Sequence, residues 1–105
     1  MSSITKKVSV NGWLNLGTQA KADGYAGSPF LSGGRIYNFN ATVAYVHFTA
    51  NGSTNPSTAA DGLPIGTTAG TAPAAYIDIP KGVDMNGIWV NTSGAQDIKY
   101  WFLGA

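Results

Sequence analysis

The sequence predicts an all-β fold of antiparallel strands, and three observations carry that expectation. Asx-Gly pairs recur at Asn11-Gly12, Asp23-Gly24, Asn51-Gly52, Asp61-Gly62 and Asn86-Gly87. Several of the segments between them alternate aromatic or β-branched residues with polar ones. No window repeats its apolar residues at the 3.6-residue period over the roughly 11 residues a helix assignment needs. Type I′ turns require positive φ at both central residues, which Asn, Asp and Gly tolerate, so these pairs read as hairpin turns.

Taken in order, Ile4 to Val10 alternates and stops at Asn11-Gly12, which predicts a first strand. Trp13-Leu14-Asn15-Leu16 is a short apolar piece halted by Gly17, and Thr18 to Gly34 reads as loop, with Tyr25, Phe30 and Leu31 as its only large apolar residues. Strand character returns at Arg35–Asn40 and Val43–Thr49, where Ala44, Val46 and Phe48 share one face and Tyr45, His47 and Thr49 the other. Ala50 to Ala75 interrupts the pattern with a single charge, Asp61, and an apolar clip, Leu63-Pro64-Ile65. Loops beyond about 15 residues are uncommon in compact domains, so this one is expected to lie across a neighbouring subunit, the alternative being a mobile Gly/Ser/Thr/Ala loop on the monomer. Tyr76–Ile79, Gly87–Asn91 and Ile98–Leu103 complete the strands. The predicted core is Ile36, Ala44, Val46, Phe48, Ile77, Ile79, Ile88 and Val90.

A chain of 105 residues is one domain, spanning 1–105, with an N-terminal arm over about 1–12 and a long loop over about 50–75. Small domains commonly lean on disulfides, a metal or assembly. Cysteine is absent, and a lone His47 with five Asp and no Glu disfavours a structural metal, so self-association is the expected support. Charged residues are 10% of the chain, against about 25% in an ordinary soluble domain. A surface so poorly charged suits a protein covered by partners or by copies of itself. Lys6 and Lys7 are adjacent but Lys21, Arg35, Lys81 and Lys99 are scattered, which gives no nucleic-acid footprint. No apolar run approaches the ~20 residues of a membrane span. The polar start Met1 to Lys7 lacks a signal-peptide core, so synthesis in a cytosol is expected. Without secretion, the sequons at Asn40-Ala41-Thr42, Asn51-Gly52-Ser53 and Asn91-Thr92-Ser93 carry no weight.

Chemistry finds little foothold. His47 lies mid-strand with no nucleophile elbow anywhere, and Asp84, Asn86 and Asp97 fall in predicted turns, where their side chains bond the local backbone. An EF-hand's closing Glu is missing, and Gly33-Gly34 precedes no helix that would cradle a phosphate. No catalytic residue, cofactor or metal ligand is expected. The aromatics are more telling: three Trp and five Tyr exceed what so small a core hides. Alternation puts Trp89 opposite Ile88 and Val90, and Trp101 opposite Tyr100 and Phe102. Exposed Trp and Tyr serve protein interfaces or sugar stacking, and interfaces are favoured because no Asp/Asn/Arg cluster that would bond a sugar is visible in the sequence.

Asp61-Gly62-Leu63-Pro64-Ile65-Gly66, then Ala75 to Val83 with its Pro80-Lys81-Gly82 turn, then Gly87 to Gly94 and Ile98 to Trp101 form a pattern that resembles small tailed-bacteriophage head decoration, or cement, proteins. In that family a Gly-Leu-Pro-like clip precedes a strand ending in a Pro-x-Gly turn. A further strand, a Ser-Gly turn and a closing strand follow. The resemblance covers roughly Arg35 to Ala105 and leaves Met1 to Gly34 uncovered. It implies a small antiparallel β-sandwich of jelly-roll type that forms a homotrimer and binds the major capsid protein on the outside of a phage head, with no active site, no nucleic-acid or membrane partner, and a location on the virion after synthesis in the host cytoplasm. The candidate interface residues are Ile4, Val8, Trp13, Leu63, Ile65, Trp89 and Trp101. The alternative is a phage fibre or adhesin-type carbohydrate-binding module that grips a glycan with Trp89, Trp101 or Tyr76.

Overall fold

A computed structural model describes residues 2–40, 42–50, 54–66 and 75–105. Among them the chain forms strands β1 (Ser3–Asn15), β2 (Leu31–Asn38), β3 (Ala44–Phe48), β4 (Leu63–Ile65), β5 (Ala75–Asp78) and β6 (Ile88–Gly104). One helix, α1 (Leu16–Ala22), and two 3-10 turns, Ala59–Asp61 and Met85–Gly87, complete the described elements. Every strand pairing is antiparallel, so the fold is all-β as the sequence predicts.

The organising element is β6. One of its edges carries β1 along nearly its whole length, while the other carries β3 at Ile88–Asn91 and β2 at Ile98–Gly104. Adding β4 to β3 and β5 to β2 gives the order β4-β3-β6-β2-β5, and the outermost strands approach one another, so the sheet is nearly closed. Between its two halves β6 is bulged: Asn11 faces Ala95 but Gly12 faces Thr92, leaving Ser93 and Gly94 unpaired with β1. Gly12 and Gly94 take positive φ, +76° and +80°, at this step. The Thr92 hydroxyl, 3.0 Å from the carbonyl oxygens of both Val10 and Gly94, ties the bulge together. Two extra residues preserve side-chain parity, so Ile88 and Val90 before the bulge and Ile98, Tyr100 and Phe102 after it all enter one core.

That core joins both halves. Of the predicted set, Ile36, Ala44, Val46, Ile79, Ile88 and Val90 are buried, while Phe48 and Ile77 are half-buried against them. Leu16 and Ala20 of α1, with Tyr25, Leu31, Met85, Tyr100 and Phe102, supply further bulk. Asn38, fully buried, closes the far end by donating from Nδ2 to the carbonyls of Thr42, Ile65 and Gly66, at 2.8, 3.3 and 3.2 Å.

Several expectations are corrected. No described non-glycine residue has positive φ, so none of the described Asx-Gly pairs forms a type I′ turn. Asn11-Gly12 lies in the bulge, Asp23-Gly24 ends α1, and Asp61-Gly62 and Asn86-Gly87 belong to the 3-10 turns; Asn51-Gly52 lies outside the described residues. The supposed loop from Thr18 to Gly34 contains most of α1 and the start of β2. Asn15 caps α1, its Oδ1 accepting from the Thr18 amide at 2.9 Å. At seven residues the helix is too short for its period to show in sequence, and it persists by burying Leu16, Gly17 and Ala20. The expected N-terminal arm is β1, paired over Ser3–Asn15. The Ala50–Ala75 interruption contains β4, with residues 51–53 and 67–74 outside the described set. The expected Ser93-Gly94 turn between two strands is instead the bulge within the single strand β6, which also absorbs the predicted turn at Ala95-Gln96-Asp97. The Pro80–Val83 turn is present, with Gly82 at φ +87°.

Candidate interaction faces

The outward residues of the β1-β6-β3-β4 half fall into two cross-strand rows. Asn15, Trp89 and His47 form one, and Trp13, Asn91, Tyr45 and Pro64 the other. Trp13 packs its ring 5.2 Å from the His47 imidazole and edge-on to Trp89 at 6.3 Å. Trp89 is thereby 8% exposed although it points away from the main core, and its Nε1–H finds no acceptor among the described residues. His47 is held from the other side: its Nε2 lies 3.1 Å from the Ala59 carbonyl, and a Cβ at Gly62 would sit 2.5 Å from that nitrogen. Since the carbonyl only accepts, Nε2 carries the proton here. The imidazole is therefore a clasp between β3 and the Ala59–Asp61 turn. A groove of about 250 Å³ runs alongside, lined by His47, Phe48, Asp61 and the exposed Leu63.

The β1-β6-β2-β5 half presents a different outer face. Across four strands the rows read Lys7–Lys99–Tyr37–Tyr76 and Thr5–Trp101–Arg35–Asp78. Arg35 Nε donates to Asp78 Oδ1 at 2.9 Å while its guanidinium lies 4.3 Å from the centroid of the Tyr76 ring, a cation–π arrangement. Tyr37 sits between Tyr76, at 5.7 Å, and Phe39, stacked at 6.2 Å. Phe39 and Tyr76 are exposed and Tyr37 and Trp101 half-buried. A depression of about 450 Å³ opens at one end of this aromatic strip, lined by Lys7, Phe39, Asp97 and Lys99.

The seven candidate interface residues therefore separate. Trp13 and Trp89 meet on the first face, and Leu63 joins them through the groove beside His47. Trp101 is on the second face. Ile4 and Val8 are half-buried against the core, and Ile65 is 2% exposed within it, so these three do not form a free surface. Sequence reasoning did not assemble Lys7, Tyr37, Phe39, Asp97 and Lys99. Strand parity set Lys7 and Tyr37 opposite the apolar side of their strands and Asp97 was expected in a turn, but only the pairing of β1, β6 and β2 sets the five side by side. Among the described residues no three of His, Asp, Glu or Cys gather as metal ligands, and no helix is long and apolar enough to cross a membrane.

No protein-family model matches the chain, and no curated protein or solved structure is significantly similar to it.

Proposed function

We propose that the protein is a structural virion component, a capsid decoration or cement protein, that binds the major capsid protein on the outside of a phage head and works as a homotrimer without catalysis. The supporting observation is the Trp13–Trp89–His47 face with its Leu63-lined groove: a rigid aromatic surface with no charged residue in either cross-strand row. Aromatic side chains on rigid strands are the common anchors of protein interfaces, because they bring large contact area at little entropic cost. Scarce charge elsewhere and the part of the resemblance over Asp61 to Val83, the apolar clip, strand and Pro-x-Gly turn, agree with this reading. A trimer would repeat the contact, so each copy needs only weak affinity for the whole to hold.

The test adds purified protein to undecorated heads and follows co-sedimentation. Wild type should bind, Trp13→Ser combined with Leu63→Ser should weaken binding at least about tenfold, and Ile4→Val should leave it unchanged. Failure of wild type to bind any undecorated head would remove the proposal.

A further inference from the structure

The depression on the second face has a chemistry that capsid docking through the first does not use. Lys7 and Lys99 are directly opposite one another on β1 and β6, and neither has an ion-pair partner among the described residues. Like charges so placed repel across the strands. Their neighbours at the depression are one aromatic ring, Phe39, continued by Tyr37 and Tyr76, and one carboxylate, Asp97. The Asp97 backbone is already fixed, its carbonyl accepting from Asn40 Nδ2 at 2.6 Å and its amide donating to Asn40 Oδ1 at 3.3 Å. Its side chain thus lines the depression from a pinned strand position, together with the two lysines and the ring.

We infer that this depression, formed by Lys7, Lys99, Phe39 and Asp97, is a binding site for an acidic saccharide residue. A sugar carboxylate between the two ammonium groups would convert their repulsion into two charge-assisted hydrogen bonds. The apolar face of the ring would lie on Phe39, and hydroxyl groups would donate to the Asp97 carboxylate, which can only accept. The carboxylate also decides among anionic ligands. A polyanion such as a single nucleic-acid strand gains from the lysines and aromatics but meets repulsion at Asp97, whereas a ligand with one negative charge and several hydroxyls satisfies every group present. The volume of about 450 Å³ lies in the range of small-ligand sites. The sequence showed no polar cluster for a sugar because Lys7 and Asp97 are distant in the chain; strand pairing brings them together. The inference does not depend on capsid binding and is tested on the isolated protein.

Titration of the isotopically labelled full chain with glucuronic acid, N-acetylneuraminic acid and neutral glucose, followed by amide shifts, reads the site directly. The acidic sugars should move the resonances of Lys7, Phe39, Asp97 and Lys99 with millimolar affinity. Lys7→Gln, Lys99→Gln and Phe39→Ala should each weaken binding about tenfold, while Trp13→Ala on the other face should not. Lys7→Gln should also raise the melting temperature of the ligand-free protein, as relief of the repulsion requires, and this readout shows that the variant is folded. Equal binding of glucose would overturn the acidic specificity, and no shift with any sugar would overturn the site. Tighter binding of oligothymidylate, falling steeply with salt, would overturn it in favour of single-stranded nucleic acid.

Discussion

Tyr100 shows how a single side chain joins the core to the helix end. Its ring is fully buried against Phe102, 4.9 Å away, and its hydroxyl donates to Oδ2 of Asp23 at the C-terminus of α1. Burial pushes the phenol well above its ordinary value near 10, and the hydrogen bond to the Asp23 carboxylate acts in the same direction. Above pH ~10 the unfolded chain releases a proton that the fold retains, so this contribution is complete below pH 10 and declines as pH rises further. Tyr25, also raised by burial, adds to the same alkaline limb. Tyr100→Phe should cost about 1–3 kcal/mol at neutral pH, through the lost bond to a charged acceptor, and should make the decline above pH 10 shallower while Tyr25 sustains the remainder. Urea unfolding at neutral and alkaline pH measures both. An unchanged alkaline slope would mean that Tyr100 titrates alike in both states.

The β2–β6 pairing depends on one glycine. Gly34 adopts φ +150°, and a Cβ there would lie 2.1 Å from the carbonyl oxygen of Trp101 on the neighbouring strand. Its own carbonyl accepts from the Ile79 amide at 2.9 Å, so the same residue also fixes the chain leaving β5. Gly34→Ala therefore has to move backbone on two sides, with an expected loss of at least about 2 kcal/mol. The adjacent Gly33, where a Cβ meets nothing within 4 Å, is the control, and Gly33→Ala should stay within about 0.5–1 kcal/mol of wild type. Chemical denaturation of the pair reads the difference, and equal stabilities would show that β2 shifts freely against β6. The Gly33-Gly34 dipeptide was legible only as a place without a phosphate-binding helix. Its function as a close-approach point required knowing that the Trp101 carbonyl of β6 lies against it.

For the whole molecule, one bulged strand shared by two sheet halves produces two outer faces of unlike character. The core closes within a single chain, so what argues for assembly is the exposed apolar surface: Phe30, Phe39, Leu63 and Tyr76 are 56%, 46%, 49% and 49% exposed. In a chain that is only 10% charged, such residues favour self-association. Light scattering at micromolar concentration should give three times the chain mass, and Leu63→Ser should shift the population toward monomer if the groove face joins subunits rather than facing the capsid. A monomeric wild type would exclude the homotrimer.

By itself the sequence determined the all-β class and the inward side of its strands. Ile36, Ala44, Val46, Ile88 and Val90 were placed correctly because side-chain direction repeats every two residues and each strand reports its own parity. Tertiary structure alone decided what stands next to what. Helix α1 escaped notice because seven residues are held by contacts with the core rather than by a period of their own. The Asx-Gly pairs were misread because the same dipeptide serves a bulge, a helix end or a 3-10 turn according to its long-range partners. Trp13 beside His47, and Lys7 beside Lys99, are neighbours only across strands, and register between distant segments is set by closing a shared core, which no local pattern encodes.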